Sequence, residues 1–208
     1  MRLNRILAPL IVSTMLVAPL ATAQDLKGFR LKAGDQILQI DPGETVDITL
    51  PDGSKIAVML ERNEFVTYAG NSFSFIHPTT LNVARSNVGN NIMQHLMASA
   101  LGTLVIVQEY SSLNPASLTD LMMQELTKET VAAGGTRKDE PVERKLAGGE
   151  LLSGLKASVV IDGETAFYEV LTYGAGNAGI VAVTRIDEER LPTEGEVLST
   201  FWDRLDLK

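Results

Sequence analysis

LKASVVIDGETAFYEV, residues 155–170, decides how this chain is read. Leu155, Ala157, Val159 and Ile161 recur at every second position, the period of a strand that buries one face. Asp162-Gly163 is a two-residue hairpin signal, because both residue types tolerate the positive φ that such turns require. Ala166, Tyr168 and Val170 bring the chain back in the same period. The centre of the chain is therefore an antiparallel sheet.

Working outward, Ile180–Ile186 reads as a further strand. Upstream, Ile92–Ser99 and Thr103–Tyr110 form a hairpin around Ala100-Leu101-Gly102. Leu104-Val105-Ile106-Val107 is apolar on both faces, which predicts a central strand covered on both sides. Phe73–Ile76 and Leu81–Arg85 are shorter strands on either side of His77-Pro78. Two helices interrupt the pattern. The first is capped at Asn114-Pro115 or Ser117, places Leu118, Leu121, Met122 and Leu126 on one face, and stops at Gly134-Gly135. The second opens on Thr193-Glu194-Gly195-Glu196, which has the form of a capping box. It sets Leu198, Phe201, Trp202 and Leu205 at i, i+3, i+4 and i+7. This element order predicts an α+β fold, a mainly antiparallel β-sheet sandwiched by two long helices.

The first 70 residues read differently. Val46, Ile48 and Leu50 alternate, Pro51-Asp52-Gly53 turns, and Ile56, Val58 and Leu60 return. With β-like stretches near Ile37–Ile40 and Phe65–Tyr68, residues 24–70 are expected to form a small β-rich N-terminal unit. Gly70-Asn71 is the seam, and residues 71–208 are the main domain. Ahead of both lies MRLNRILAPLIVSTMLVAPLATA, with Arg2 and Arg5, an apolar run from Ile6 to Leu20, and small residues at Ala21-Thr22-Ala23. That is the form of a secretory signal peptide, with cleavage between Ala23 and Gln24. The apolar run is short for a membrane span, which needs about 20 residues.

Cleavage would leave 16 Lys and Arg against 26 Asp and Glu, because Arg2 and Arg5 are lost from the 18 basic residues. An exported chain with net charge −10 is a poor partner for nucleic acid or anionic lipid. There is no cysteine, hence no disulfide framework and no thiol for a lipid anchor. The expected location is the periplasm, with neither a transmembrane segment nor a lipid anchor in the mature chain.

The order of elements from Ser72 onward resembles the PsbP-like family, exported bacterial relatives of the extrinsic subunit of the oxygen-evolving photosystem. The likeness rests on Phe73-Ser74-Phe75-Ile76-His77-Pro78, on Leu104–Tyr110 leading into Ser117–Leu126, and on Tyr168-Glu169-Val170-Leu171 through Ile180–Ile186 to Phe201-Trp202. It implies an α/β/α sandwich and a non-enzymatic domain that docks on a larger complex. Two features depart from the family. Thr79-Thr80-Leu81 stands where a tryptophan often follows the proline, and the lipid-attachment cysteine of many bacterial members is missing.

Chemical motifs are scarce. Gly174-Ala175-Gly176-Asn177-Ala178-Gly179 spells the dinucleotide fingerprint. The β-branched run at 180–184 then continues as a strand, so no helix N-terminus is there to receive a phosphate. Ser153-Gly154-Leu155-Lys156 matches SxxK, but an alternating strand puts its serine and lysine on opposite faces, and the partner motifs are absent. His77 and His95 have no nucleophile elbow, no HExxH spacing and no cysteine to join. Proline removes a ladder donor at 78 and holds His77 extended, so His77 is expected to end a strand and pack locally. No catalytic, cofactor-binding or metal residue is assigned. The sequence predicts a soluble, exported, non-enzymatic binding or assembly module with protein partners in the cell envelope. The alternatives are a small-ligand or ion carrier, and a carboxylate-dependent envelope hydrolase.

Overall fold

The structure, a computed structural model, describes residues 27–208. The leader and its cleavage point at Ala23 and Gln24 lie outside the described residues. The chain divides into two compact units, one ending at Glu61 and the other running from Arg62 to Lys208.

The first unit contains two hairpins. β1 (Phe29–Ala33) pairs with β2 (Gln36–Ile40), and β3 (Thr45–Thr49) pairs with β4 (Lys55–Met59), both antiparallel. The second hairpin turns at Pro51-Asp52-Gly53 as the sequence predicts. Gly53 has φ +83°, and the Asp52 carboxylate accepts hydrogen bonds from the Ser54 N–H and hydroxyl.

The second unit begins earlier than the sequence suggests. β5 (Phe65–Ala69) pairs with β6 (Phe73–Pro78), and the Gly70 N–H donates to the Phe73 carbonyl at 2.9 Å. The seam expected at Gly70-Asn71 is thus a turn between two paired strands. Then come β7 (Val83–Asn87), β8 (Ile92–Ala98), β9 (Leu104–Tyr110), α1 (Thr119–Ala132) and β10 (Thr136–Lys145). β11 (Leu151–Ile161), β12 (Glu164–Ala175), β13 (Ala178–Asp187), α2 (Leu191–Arg204) and β14 (Asp206–Leu207) complete the chain.

Seven strands form one antiparallel sheet in the order β10-β11-β12-β13-β9-β8-β7. β7 to β9 is a meander, α1 carries the chain across to the far edge, and β10 to β13 meander back to meet β9. A smaller sheet, β14-β6-β5, accompanies it. Two apolar clusters hold the unit together. On one face of the large sheet, Val105, Val107, Leu152, Leu171 and Ala182 meet Phe73 and Phe75 of β6 and Phe201, Trp202 and Leu205 at the α2 end. On the other, Val159, Val170, Val181 and Val183 meet Met123 of α1.

The predicted sheet sandwiched by two long helices is overturned. Among the described residues the fold is β-rich, and the two α-helices are 14 residues each, about 21 Å at 1.5 Å per residue. The first helix starts only at Thr119, because Asn114 caps a separate 3-10 turn at Pro115–Ser117. α1 then packs mainly on β10, β11 and β12. The opposite face is shared between α2 and the small sheet. A whole strand, β10, also goes unpredicted. Its sequence TRKDEPVERK is charged at most positions and contains Pro141, a composition suited to an edge strand that must not recruit another chain.

Two local devices set the geometry of the sheet. Asp162 and Gly163 both have positive φ, +52° and +85°, as the two-residue hairpin between β11 and β12 requires. Gly154, in the middle of β11, lies against β12 so closely that a Cβ there would sit 2.0 Å from the Val170 carbonyl oxygen. Backbone cannot yield as a flexible side chain can. Gly154→Ala is therefore expected to lower unfolding free energy by roughly 3 kcal/mol, the upper part of the range for overpacking. Urea denaturation checks this, and a loss under about 0.5 kcal/mol, the scatter of neutral surface changes, would contradict it.

Candidate functional site

The histidines come first, since sequence reasoning left them as the main carriers of chemistry. His77 is buried near the end of β6. Its Nδ1 lies 2.9 Å from the Pro78 carbonyl oxygen. A carbonyl only accepts, so Nδ1 carries the proton, and the ring packs beside Phe75 at 5.9 Å. This is the local strand-ending role expected of it.

His95 is different. It lies in phase with Met97 on β8, pairs across the sheet with Val107, and is 1% exposed. Its Nε2 lies 2.9 Å from Glu109 Oε2, and its Nδ1 lies 2.8 Å from the Tyr68 hydroxyl. Glu109 Oε1 accepts from the Ser72 N–H at 2.6 Å and the Ser72 hydroxyl at 2.7 Å, and Asn71 Nδ2 donates to Oε2. Burial pushes the Glu109 carboxyl up, but the Ser72 and His95 hydrogen bonds outweigh it and hold the group below its ordinary range. Burial pushes the Tyr68 hydroxyl up, so it keeps its proton. The hydrogen-bond pattern is then complete. Tyr68 O–H donates to Nδ1, Nε2–H donates to Glu109, and every partner is matched.

A hydroxyl, an imidazole and a carboxylate in line have the order of an acyl-transfer triad, but the surroundings deny that chemistry. The rings of Phe73 and Phe75 stand 6.4 and 5.4 Å from Tyr68, and Phe73 stands edge-on to His95 at 5.0 Å. The network lies between the two sheets, with His95 and Glu109 buried and Tyr68 half-buried, and serves as a polar joint. His77 and His95 do not converge on a metal. Among the described residues, no group of three or more His, Asp or Glu is placed to hold one.

The two sequence motifs are placed as expected. Ser153 and Lys156 lie in β11 and point to opposite faces. The glycine-rich stretch is the hairpin between β12 and β13, and its glycines answer to packing. A Cβ at Gly174 would meet Asn114 Oδ1 at 1.8 Å, while Asn114 Nδ2 donates to the Gly176 carbonyl. The loop is a seat for the turn that leads into α1.

The open site lies elsewhere, in a cleft of about 330 Å³ between α2 and the strands β11 to β13. The alternation of β12 puts Phe167 and Glu169 on this face, and the pairing sets Ile186 opposite Phe167 and Thr184 opposite Glu169. α2 supplies Leu191, Leu198 and Trp202. At one end Arg144 is held on two sides. Its Nε and Nη2 donate to Glu169 Oε1 and Oε2 at 2.7 and 3.0 Å, and its guanidinium lies 4.9 Å from the Trp202 ring centre. Lys156 stands in the same cross-strand row as Glu169 and Thr184. Among the described residues it makes no ion pair.

No family model matches this sequence, and no curated protein matches it. Among solved structures, the chain is similar to the solution structure of cyanobacterial PsbP (CyanoP) from Synechocystis sp. PCC 6803. The TM-score is 0.47 and the identity 14%, over 70% of this chain and 93% of that chain. At that level the likeness assigns neither a family nor an activity.

Of the cleft residues, sequence reasoning named Lys156 within SxxK, Tyr168 and Glu169 within the family resemblance, Ile186 as a strand end, and the helix residues Leu198 and Trp202, none of them as part of a site. A signal was nevertheless present. Glu169 falls in phase with Phe167 and Leu171, and Glu109 in phase with Val105 and Val107. An acid in step with a buried apolar row must be paired or must line a site.

Proposed function

We propose that this chain is an exported, non-catalytic binding module of the PsbP-like kind its sequence resembles, which docks on a larger complex of the cell envelope. The observation that carries the reading is the cleft. It is open and apolar, and its Arg144–Glu169 charges are already matched to each other, so it is built to recognise rather than to react. The acid–base chain of Tyr68, His95 and Glu109 does not line the cleft. Export rests on the Met1–Ala23 pattern, and no helix among the described residues is long and apolar enough to cross a membrane.

Crosslinking in the native host tests both parts. The recovered chain should begin at Gln24, and one partner should be attached repeatedly through lysines bordering the cleft face, such as Lys156 or Lys145. Recovery of uncrosslinked chain alone would remove the docking role. A second reading, a small-ligand carrier, is favoured by the volume of the cleft, which reaches the lower end of the range of ligand pockets, about 300–1,000 Å³.

A further inference from the structure

The balance of used and unused polar groups in the cleft says what it accepts. Both carboxylate oxygens of Glu169 accept from Arg144, and Glu169 is only 8% exposed. That leaves Arg144 Nη1, which makes no hydrogen bond among the described residues. Lys156 Nζ likewise has neither ion pair nor hydrogen bond there, because Glu140, opposite it across the β10–β11 pair, is bonded to Lys138 instead. The third group is the Thr184 hydroxyl. Thr184 is 2% exposed, lines the cleft, and makes no side-chain hydrogen bond among the described residues. Lys156 and Thr184 thus stand at the two ends of the row that crosses the floor through Glu169. The acid on the rim, Asp203, also lines the neighbouring hollow beside Glu143, Lys145 and Trp202. It therefore belongs to the Arg144–Trp202 end, away from Phe167 and Leu191. Beyond the donor row the surface is apolar, formed by Phe167, Ile186, Leu191 and Leu198.

We propose that the cleft binds a small organic monocarboxylate, its anion held by Lys156 and Thr184 and its apolar body laid over Phe167, Ile186 and Leu198. The inference rests on the reading of the cleft as a recognition site and adds the chemical class of its occupant. A charged hydrogen bond from Lys156 supplies the preference for an anion, and the apolar bed supplies contact area without charge selectivity. The ion pair beneath fixes the floor, because Arg144 is clamped between Glu169 and Trp202.

The test titrates the purified full-length chain with 3-phenylpropionate and, separately, with its neutral analogue 3-phenylpropanol, reading backbone amide shifts by NMR. The acid should shift the amides of Lys156, Phe167, Thr184 and Leu198, and should bind about tenfold or more tighter than the alcohol. Lys156→Met should abolish that difference and leave the alcohol's affinity unchanged. Lys156→Arg should keep most of it. Lys156 is exposed, so neither change threatens folding. Equal affinity for acid and alcohol, or no shift of cleft amides by either, would overturn the proposal. Crosslinking of the Leu198→Glu variant in the host, run alongside, separates the two ideas. If this change removes partner capture while the acid fails to bind, the carboxylate is wrong and the recognition site stands. If capture is unaffected and the acid fails to bind, both fall.

Discussion

Glu109→Ala is expected to destabilise the protein by about 3–5 kcal/mol, the summed penalty of leaving buried donors without their acceptor at about 1–3 kcal/mol each. The loss is large because four donors lose their acceptor together. These are His95 Nε2–H, the Ser72 N–H and hydroxyl, and Asn71 Nδ2. His95 is 1% exposed, so water cannot replace the carboxylate without opening the joint between the sheets. Glu109→Gln keeps the shape and one acceptor oxygen, and should cost distinctly less. The sign of the pH dependence follows from the lowered Glu109 carboxyl. A carboxylate whose folded pKa lies below its unfolded value of about 4.3 stabilises the fold at neutral pH. That contribution begins to fade near the unfolded value and is lost as pH falls through the folded one. Urea midpoints should therefore fall in the parent chain as pH drops through and below about 4.3, with a smaller fall in Glu109→Gln. A parallel acid response in both would show that other carboxylates govern it. A loss under about 0.5 kcal/mol for Glu109→Ala, ordinary for a surface site, would show that the network does not hold the sheets.

How far the sequence could be read depends on which residues carried period information. The β11–β12 hairpin was legible because Asp162-Gly163 can hardly serve any other turn, and its flanking residues keep strict alternation. The second helix was legible because Phe201, Trp202 and Leu205 keep helical spacing, and all three are buried. Its start was not. Thr193-Glu196 has the letters of a capping box, yet the helix begins at Leu191 with Pro192 in the first turn. The Thr193 hydroxyl is turned back to the Arg190 carbonyl, while Glu194, which is not the acid of the box, accepts from the hydroxyls of Ser99 and Thr103. β10 was illegible because an edge strand facing solvent needs no apolar period, and its identity comes from ten residues of register with β11. The cleft was illegible for a related reason. Arg144, Lys156, Glu169 and Trp202 come from four elements, and only the sheet order brings them together.

Phe201→Ala should match Glu109→Ala in cost, about 3–5 kcal/mol, but for a different reason and with a different consequence. Phe201 is fully buried, with Phe75 of β6 edge-on at 5.1 Å and Trp202 at 4.8 Å. It is the side chain by which α2 grips both β6 and its own neighbour in the cleft wall. Truncation removes the transfer energy of the ring and leaves a void that α2 cannot close, because Trp202 is tied to Arg144 and Leu205 is buried one turn further on. Unlike loss of Glu109, this change removes no titrating group, so its cost should stay constant between pH 7 and pH 5. The consequence for function follows from position. Leu191, Leu198 and Trp202 form the helical wall of the cleft, and a loosened α2 would cost the cleft its shape while the strands β11 to β13 keep theirs. Hydrogen exchange distinguishes the two cases. In Phe201→Ala the amides of α2 should lose protection ahead of those of β12 and β13, whereas in Glu109→Ala the loss should centre on β6, β8 and β9. Uniform loss of protection in both variants would mean that α2 and the strands β6, β8 and β9 unfold as one, and that α2 cannot be loosened without the rest.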